Sequence, residues 1–504
     1  MLLQSTFAFS NPNNVFIKNW QKKGFLVLGV PVKMGKLDPI LFLNAHTKLS
    51  LPLIYEPLIS IGSQQELQPI LAQSWLITDD NHSIIITIKS RHYFSDNTEV
   101  TSRDIANTME RICSEKSNVF EEIKGLDGCV EHVKNKNIKL GLSIIDKYRI
   151  KFNINCSPTN FLSQLASPAL VITKLFKDGL IGSGSYILQE ANNEYIILKK
   201  NPYASIDNKT FNQGVVLFYA DGNNLRNILL EDKPDGALMY KMQDVWNIQD
   251  KNYNLERIKP NITEVMVLNN QRFPFNNVLF RKYFAAAIYN NFNQQCIPGA
   301  HKAYGLIPTG TGGALDGNAP QFLYEMPMDE VFKKIPELKI KKTTITIQQL
   351  EDSKNSCESN QIIDIAKKFN IDLKFEYHKN YATLIPLYLN HQLDGFVELY
   401  VFKNREAYSV LQFFTKLGTN HANVKDLKID SMLQDAISES SSHRRFQAYQ
   451  NIAKYIQNQG IIIPLFYMDH ANIVSKCISG IPPDFLFNPF LHISQLQRTN
   501  DCKI

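Results

Sequence analysis

Apolar and polar residues alternate in short blocks along the chain, and polar turns separate the blocks. In the block 79–105, the polar triplet Asp-Asp-Asn at 79–81 is typical of a turn. Isoleucines at 84, 86 and 88 then alternate with residues 85, 87 and 89, which predicts a strand. Ser-Asp-Asn at 95–97 predicts a second turn, in which Asn97 can adopt the left-handed conformation.

A helix is predicted directly after this second turn. Thr101 followed three residues later by Asp104 has the spacing of a capping box at a helix N-terminus. Ile105, Met109 and Ile112 recur at i, i+4 and i+7, so they share one face of that helix. The block therefore predicts a strand, a turn and a capped amphipathic helix.

The second half of the chain predicts a strand–helix–strand unit. The residues 342–350 alternate as a strand, and apolar residues at 362, 365, 366 and 369 have helical spacing. Asn370 suits the end of that helix, and 371–377 alternates again. Two such strands joined by a helix favour a parallel pair with a right-handed crossover.

Two further helices complete the prediction. Leu279, Tyr283, Ala286 and Ala287 indicate one helix, and apolar residues at 449, 452, 453 and 456 indicate another that ends at Gly460. The apolar run 461–468 then reads as a buried strand. The predicted fold class is α/β, with mixed β-sheets flanked by helices and more than one lobe.

Length and charge limit the possible functions. A chain of 504 residues exceeds one ordinary core and predicts two to four domains. The net charge of +6 is scattered, and the densest basic clusters, 338–342 and 443–445, carry no interleaved aromatic residues. We therefore expect no nucleic-acid partner. No apolar run approaches ~18 residues, so no membrane-spanning helix is expected.

The N-terminal sequence MLLQSTFAFS has a short apolar stretch followed by small residues, Ala8 and Ser10. This pattern resembles the back half of a secretory signal peptide cut before Asn11, with its basic start missing. Either the start of the signal is truncated or the resemblance is chance, and we expect an exported protein.

Seven cysteines are widely spaced, without a Cys-x-x-Cys pair or a Cys/His cluster, so no structural zinc site is expected. An exported chain of this kind could hold one to three disulfides and at least one free thiol. Cys113 and Cys129 are the first pair expected to bond, while buried thiols throughout remain the alternative.

Catalytic motifs are not found in the sequence. It has no His-Glu-x-x-His, Gly-x-Ser-x-Gly or P-loop motif, and the glycine-rich stretches at 182–186 and 310–313 match no dinucleotide fingerprint. We interpret both stretches as tight turns. The prediction is a protein that is not an enzyme, with no catalytic residue, no metal site and no cofactor.

Eight segments in chain order carry a resemblance to a known family. They are LDP (37–39), IYEPLI (54–59), LQPILAQSWLITDD (67–80), ITIKSRHYFSDNTEVTSRDI (86–105), IGSGSYIL (181–188), KKNPYA (199–204), VLNNQRFPFNNVLFRKYFAAAI (267–288) and HRRFQAYQNIAKYIQNQGIIIPLFYM (443–468). The chain resembles the family 5 extracellular solute-binding proteins, the oligopeptide-, dipeptide- and nickel-binding components of bacterial ABC importers.

The resemblance implies a periplasmic-binding-protein fold of type II, cluster C, with two lobes, a hinge and an extra domain. Mapped by motif, domain I covers 1–51, 173–268 and 476–504. Domain II covers 52–172, and domain III, the ligand-clamping lobe, covers 269–475.

The same resemblance implies the function and its partners. We expect a monomer that captures a peptide or peptide-like solute when its lobes close, as a Venus flytrap does, and delivers it to an ABC permease in the inner membrane. The expected location is the periplasm, or the cell surface as a lipoprotein in a Gram-positive organism. The alternatives are a nickel or other metal chelate, another anionic small molecule, a sensor that is not coupled to transport, or a peptide hydrolase.

Two segments are expected to contact the ligand. By resemblance, 32–36 lies at the domain I edge of the cleft, and it carries Lys33, Met34 and Lys36. The acidic residue that peptide binders have there is missing. An anionic ligand would suit the basic residues, although solvated surface lysines are the plainer interpretation.

In domain III, peptide binders have a Trp followed by an Asp-containing loop that pairs with the peptide amino terminus. Here the corresponding stretch offers Tyr400, Phe402, Arg405, Glu406 and Tyr408. Tyr400 can replace the aromatic residue, and Glu406 is the candidate for the missing carboxylate. Alternatively, the aromatic residues belong to the core and Glu406 pairs with a basic residue on the surface.

Overall fold

The chain divides into two compact units. Unit 1 comprises Met1–Ile258 and His470–Ile504, and unit 2 comprises Lys259–Asp469. The computed structural model describes residues 14–35, 37–41, 45–62, 66–114, 117, 119–177, 179–205, 212–248, 250–315, 328–338, 341–351, 357–379, 381–402, 406–416, 418–439, 441–482, 485 and 489–499. The predicted bounds of domains I, II and III stay a prediction.

The main sheet of unit 1 is mixed. Strand Phe25–Val30 pairs in parallel with Gly214–Tyr219 on one side and with Gly236–Lys241 on the other. Antiparallel strands Tyr195–Lys200 and Tyr186–Ala191 extend one edge, and residues 470–474 pair antiparallel with Gly236–Lys241. The central strand Phe25–Val30 is buried along its whole length, as expected for a strand covered on both faces.

A second, antiparallel sheet in unit 1 contains the strand predicted from the isoleucine alternation. Strand Ser83–Ile88 lies between Ala72–Ile77 and Arg149–Asn153, and Ile84, Ile86 and Ile88 are all buried. The flanking turns are those predicted, and Asn97 has a φ of 66°. This part of the sequence prediction is confirmed.

The predicted capped helix forms at Ser102–Ser114. Asp104 Oδ2 accepts hydrogen bonds from the Thr101 backbone N–H at 2.8 Å and from the Thr101 hydroxyl at 2.7 Å. The acidic half of the capping box is therefore confirmed, while the hydroxyl donates to Asp104 instead of accepting from its backbone. Ile105, Met109 and Ile112 are buried, as predicted.

The remaining elements of unit 1 are short. Its other strands are Glu56–Pro57, Ile59–Ile61, Leu67–Pro69, Leu142–Ile144, Val171–Ile172, Lys174–Phe176, Gly179–Ile181, Ile478–Ser479 and Gln497–Arg498. Its other helices are Asn14–Lys22, Ala45–Ser50, Cys129–Lys134, Pro158–Leu165, Gly222–Asn227, Met242–Val245 and Pro489–His492.

Unit 2 contains the predicted strand–helix–strand unit. Strands Thr343–Leu350 and Ile371–His378 pair in parallel over eight residues, and helix Cys357–Lys367 connects them. Strand Gly395–Val401 pairs in parallel with Thr343–Leu350 and antiparallel with residues 262–268. The prediction of a parallel pair is confirmed, and Asn370 has a φ of 59° after the helix.

The last helix of the prediction forms in unit 2, and the last predicted strand begins there and continues into the segment of unit 1 that starts at His470. Helix Ser442–Asn458 is capped by the Ser441 side chain, and Gly460, with a φ of 62°, follows it before strand Ile462–Ser475. The other elements are strand Ala300–Lys302 and helices Val278–Asn291, Met328–Lys334, Tyr381–Leu389, Tyr408–Leu411 and Leu427–Ser438.

One detail of the helix Val278–Asn291 differs from the sequence prediction. Leu279, expected on the apolar face, is 54% exposed. Phe280 and Phe284 take the core position because their rings stack with centroids 5.8 Å apart, and both rings pack edge-on against Phe369.

Two disulfides have both of their cysteines among the described residues, and Cys477 is disulfide-bonded as well. Cys113 bonds to Cys129, which confirms the pair expected first, and Cys296 bonds to Cys357. Cys156 is a free thiol whose pKa is raised to about 12 by burial. In the described part of the chain, no helix combines the length and apolar character needed to cross a membrane.

Asp235 connects distant segments of unit 1. Its side chain is 3% exposed, and its Oδ2 accepts a hydrogen bond from the Val27 backbone N–H at 2.8 Å. Arg498 donates to both carboxylate oxygens, at 3.0 and 2.6 Å, and also to the carbonyls of Gln21 and Phe25. Burial raises the pKa of Asp235, and Arg498 opposes that shift. The pair fixes the C-terminal strand Gln497–Arg498 to the central sheet.

Replacing Arg498 should therefore destabilise unit 1. Arg498→Met leaves the Asp235 carboxylate buried without its cation, so we expect a loss of about 3–5 kcal/mol in the free energy of unfolding. Urea unfolding of the full chain followed by circular dichroism measures it. Arg149→Met is the matched control, because Arg149 and Asp146 form an exposed pair worth about 1 kcal/mol or less. Equal losses in the two variants would contradict the role of the Asp235 pair.

Candidate functional site

The carboxyl ends of two parallel strands meet at one edge of the unit 1 sheet. Val30, the last residue of Phe25–Val30, lies opposite Tyr219, the last residue of Gly214–Tyr219. In open α/β sheets ligands bind outside the carboxyl ends of the strands. The predicted ligand segment 32–36 begins just after Val30, so the topology places it at such an edge.

Lys33 presents an ammonium group at this edge. Its Nζ lies 3.0 Å from Glu194 Oε1 and 5.3 Å from the centroid of the Tyr219 ring, and its side chain is 54% exposed. The pKa of Tyr219 is raised by burial and by Asp221, and Lys33 partly offsets this. Lys33 is therefore held by a weak, solvated pair that an anionic ligand group could replace.

The other two predicted residues of this segment differ from Lys33. Met34 is buried, at 9% exposure, and packs in the core of unit 1. Lys36 lies outside the described residues. The ligand roles of all three residues stay a prediction.

Asp38 fixes the end of the same segment, and the sequence prediction missed it. Its two carboxylate oxygens accept hydrogen bonds from Arg111 at 3.0 and 2.7 Å, and its Oδ1 also accepts from the Ile40 backbone N–H. Arg111 belongs to the helix Ser102–Ser114. The acidic residue of the LDP stretch thus anchors the chain just after the predicted ligand segment to a helix 73 residues away in sequence.

In unit 2, the predicted aromatic residues lie in the core. Tyr400, Phe402 and Tyr408 are 2–6% exposed and belong to the cluster that packs against helices Leu427–Ser438 and Ser442–Asn458. This placement favours the alternative that they are core residues. Arg405 lies outside the described residues. The ligand role of these four residues stays a prediction.

Glu406, the candidate carboxylate, is paired with Arg445. Arg445 has no exposed side-chain surface, and it donates to both Glu406 oxygens, at 3.0 and 2.5 Å, and to the Glu439 carbonyl at 2.9 Å. Burial alone would lower the pKa of Arg445, but Glu406 raises it overall. The pairing with a basic residue matches the alternative interpretation, except that the pair is buried rather than on the surface.

A second segment is held beside Glu406. The backbone of Gly312 forms a parallel bridge with Glu406, and the Gln450 side chain donates to the Ala314 carbonyl at 2.9 Å. Gly313 has a φ of +92°, and a Cβ there would lie 2.7 Å from Tyr449 Cβ. The segments around Glu406 and Gly312 therefore both contact the helix Ser442–Asn458. Position 313 needs a glycine, because its φ is positive and a Cβ would clash with Tyr449 on that helix.

Glu398 was not predicted, and no lysine or arginine among the described residues forms an ion pair with it. It lies in strand Gly395–Val401 with a side chain 12% exposed, and Tyr400 donates a hydrogen bond to it. Its Oε2 has no hydrogen-bond partner in the described structure, and the nearest ring nitrogen, His421 Nδ1, is 3.6 Å away. We call Glu398, Tyr400 and His421 the Glu398 cluster.

Burial shifts the pKa values of both Glu398 and His421 toward their uncharged forms. It raises the pKa of Glu398 to about 7, and it lowers the pKa of His421 to about 3, with His391 adding to that shift. His421 is then uncharged at neutral pH, and its Nδ1 lies 2.8 Å from the Tyr400 hydroxyl. The signal in the sequence was a single acidic residue inside an apolar strand, which is costly unless it has a use.

The described residues contain no group of three or more His, Cys, Asp or Glu side chains arranged to hold a metal ion. Each unit thus offers its own candidate, a solvated lysine in unit 1 and a buried acidic and aromatic cluster in unit 2.

Comparison with known proteins identifies the family of this chain. The family model described as "Bacterial extracellular solute-binding proteins, family 5 Middle" matches residues 66–416. The chain belongs to this family. The resemblance predicted from the sequence segments is confirmed, and this family 5 protein has solute binding as its general function.

Relatives and solved structures are similar over most of the chain. The dipeptide-binding protein DppE of Bacillus subtilis (strain 168) is 21% identical over 88% of this chain and 87% of its own length. The probable D,D-dipeptide-binding periplasmic protein DdpA of Escherichia coli (strain K12) is 22% identical over 93% and 92%. The Escherichia coli murein tripeptide binding protein MppA matches with a TM-score of 0.80 and 18% identity, covering 95% of this chain and 99% of that one. The structural match confirms the predicted fold class.

The buried carboxylate should make the stability of this family 5 protein depend on pH. Because the folded pKa of Glu398 lies above its ordinary value of 4.5, stability should fall as pH rises from about 4.5 through 7. Glu398→Gln imitates the protonated acid and should remove this fall, which is at most about 3 kcal/mol. The measurement is urea unfolding of both proteins at pH 5 and pH 8.

We expect Glu398→Gln to be more stable than the unsubstituted protein at pH 8 and about equal to it at pH 5. Glu376→Gln, a change at an exposed carboxylate of the same unit, is the control and should leave the pH dependence intact. A Glu398→Gln protein that is less stable at pH 8 would show that the carboxylate has a cationic partner.

Proposed function

We propose that this family 5 protein is the substrate-binding component of an ABC importer for a peptide or peptide-like solute. The observation that carries the proposal is the match of the family model to 66–416, together with relatives named as dipeptide-binding proteins over about nine-tenths of the chain. The proposed protein works outside the cytoplasm, as a monomer without catalytic activity. It releases its ligand to a membrane permease.

Binding in this proposal depends on contacts and not on covalent chemistry. A ligand that touches both predicted lobes favours the closed form by its differential affinity for that form. A micromolar ligand provides roughly −8 kcal/mol for binding and closure together. Membership of a solute-binding family supports non-covalent binding of the ligand. Closure of the lobes around the ligand is part of the proposal.

The half-exposed Lys33 favours a ligand with an anionic group. An ammonium at the carboxyl edge of parallel strands can bind a carboxylate more strongly than the solvated Glu194 does, because a bound ligand removes water from the pair. A peptide carboxyl terminus fits this requirement. A metal chelate with carboxylate arms also fits it, and it is the second candidate ligand.

A thermal-shift screen tests the proposed function. Purified full-length protein is heated with free dipeptides and tripeptides, and with nickel chelates of small carboxylic acids. We expect at least one peptide to raise the melting temperature in proportion to the logarithm of its concentration. Stabilisation by chelates alone would favour the second candidate, and stabilisation by neither set would contradict the proposal. Loss of intact peptide during incubation would indicate a hydrolase instead.

The role of Lys33 has a separate test, which compares binding affinities. Lys33→Glu places two carboxylates together, so affinity for a peptide with a free carboxyl terminus should fall roughly tenfold, or about 1.4 kcal/mol. Lys136→Glu, the same change at an exposed lysine elsewhere in unit 1, is the control. Equal affinities in the two variants, measured by isothermal titration calorimetry, would remove Lys33 from the site.

A further inference from the structure

Large apolar side chains are exposed at the tips of two β-hairpins in unit 1. In the hairpin of residues 174–181, Leu175 is 73% exposed and Phe176 is 40% exposed. In the hairpin of residues 142–153, Ile145 is 43% exposed at the turn between the strands. Single exposed apolar residues are common on protein surfaces, whereas several that lie together indicate a binding surface.

Both hairpin tips adjoin the same polar turn. Lys147 of one hairpin places its Nζ 2.5 Å from Glu99 Oε2, and Lys174 of the other places its Nζ 2.8 Å from Asp96 Oδ2. Asp96 and Glu99 are three residues apart in one turn, so the two tips lie on the same side of unit 1. We call the three segments that form this side the tip surface, which comprises residues 95–99, 144–149 and 174–177.

The hairpin of residues 142–153 and the chain just before it also carry most of the excess positive charge. The segment 132–151 contains five lysines, one arginine and one aspartate, which is a net charge of +5, and the whole chain carries +6. Lys134, Lys136 and Lys139 are exposed, and none of them forms an ion pair with a described residue. Their ammonium groups are therefore available to an anionic partner.

The acidic residues of the tip surface do not cancel this charge, because its own basic residues already bind them. The pairs within the described residues are Asp96 with Lys174, Glu99 with Lys147 and Asp146 with Arg149. Lys177 forms no ion pair with a described residue, and its Nζ lies 5.3 Å from the centroid of the Phe176 ring. The tip surface thus combines exposed apolar side chains with cations that lie directly beside them.

Such a combination fits the surface of an anionic lipid bilayer. Lysine ammonium groups can bind lipid phosphates while their aliphatic stems and neighbouring apolar side chains lie deeper in the interface. Aromatic rings are also favoured at the level of the headgroups. Binding of this kind increases with both the apolar area that is buried and the negative charge of the lipid.

The arrangement of the apolar residues fits other macromolecules less well. They lie on two separate hairpins that a polar turn joins, whereas the centre of a protein–protein interface is a continuous apolar patch. A nucleic acid would require a basic stripe and would meet apolar hairpin tips instead. A bilayer interface accommodates separate tips, because each one can enter it independently.

We propose that unit 1 docks on the headgroups of an anionic lipid bilayer through the tip surface and the lysines of 134–139. This inference goes beyond the proposed function and does not depend on the identity of the transported solute. The lysines attract the lipid phosphates, and Leu175 and Phe176 enter the interface. A binding protein held in this way would search for a membrane permease along the bilayer instead of through the whole volume outside it.

The size of the effect follows from the number of unpaired lysines. A lysine close to an anionic bilayer contributes about fivefold to partitioning, or about 1 kcal/mol. The three lysines of 134–139 should therefore account for roughly a hundredfold. Because salt screens exposed charges, a higher salt concentration should release the protein from the bilayer.

Co-sedimentation of the full-length protein with lipid vesicles tests the proposal. One set of vesicles contains only phosphatidylcholine, and the other contains phosphatidylcholine with about one third phosphatidylglycerol. We expect the protein to sediment with the anionic vesicles and to remain in solution with the neutral ones. Addition of roughly 0.5 M sodium chloride should return it to solution.

A lysine variant and a matched control show which charges are responsible. The variant replaces the three lysines of 134–139 with glutamine, and we expect it to bind the anionic vesicles at least 30-fold more weakly. The control makes the same replacement at Lys22, Lys341 and Lys342, which are also exposed, and so removes the same net charge. We expect the control to bind within threefold of the unsubstituted protein.

The apolar part of the surface has its own variant. Leu175→Ser combined with Phe176→Ser removes the side chains that enter the interface, and we expect it to weaken binding to the anionic vesicles about tenfold. Leu427→Ser, at an exposed leucine of unit 2, is the control and should bind as the unsubstituted protein does. Thermal unfolding followed by circular dichroism shows that each variant folds.

Four outcomes would overturn the proposal. They are no sedimentation of the unsubstituted protein with anionic vesicles, equal binding to neutral vesicles, equal losses in the lysine variant and its control, and no effect of the apolar variant. Binding to protein-containing membranes but not to protein-free vesicles of the same lipids would assign the surface to a protein partner, and it would also overturn the lipid proposal. The lipid and salt dependence of the unsubstituted protein decides the matter even if a variant fails to fold.

Discussion

The buried pair of Asp235 and Arg498 is the interaction on which the sheet of unit 1 depends. The chain leaves this unit within strand Tyr253–Leu268, forms all of unit 2, and returns within strand Ile462–Ser475. The first and last parts of unit 1 are therefore separated by more than two hundred residues, and their association closes a long loop at an entropic cost. Asp235 brings them together, because it binds Val27 from the first part and Arg498 from the last.

Two further carboxylates of the chain are also held by arginine. Asp38 is held by Arg111 and Glu406 by Arg445, and each arginine donates to both carboxylate oxygens, which fixes the geometry of the guanidinium. Glu398 stands apart, with one neutral donor and a raised pKa.

The sequence predicts local structure well because its signals act over a few residues. The capping acid Asp104 is three residues from Thr101, and the alternation at 84–88 spans one strand, so both were predictable. The partners of Asp38, Glu406 and Asp235 are 73, 39 and 263 residues away, and periodicity carries no information about such pairs. The candidate site was therefore only half predictable. The resemblance located its segments, but it could not show which acidic residues in them already have a basic partner.

The disulfide between Cys296 and Cys357 closes a loop of 61 residues in unit 2. In the chain-entropy account, such a cross-link restricts the unfolded chain by about 4 kcal/mol, a large fraction of the stability of an ordinary domain. The bridge forms only where thiols are oxidised. A newly made chain in a reducing compartment would thus have a more weakly folded second unit, and it would gain its full resistance to unfolding and proteolysis only after it reached an oxidising one.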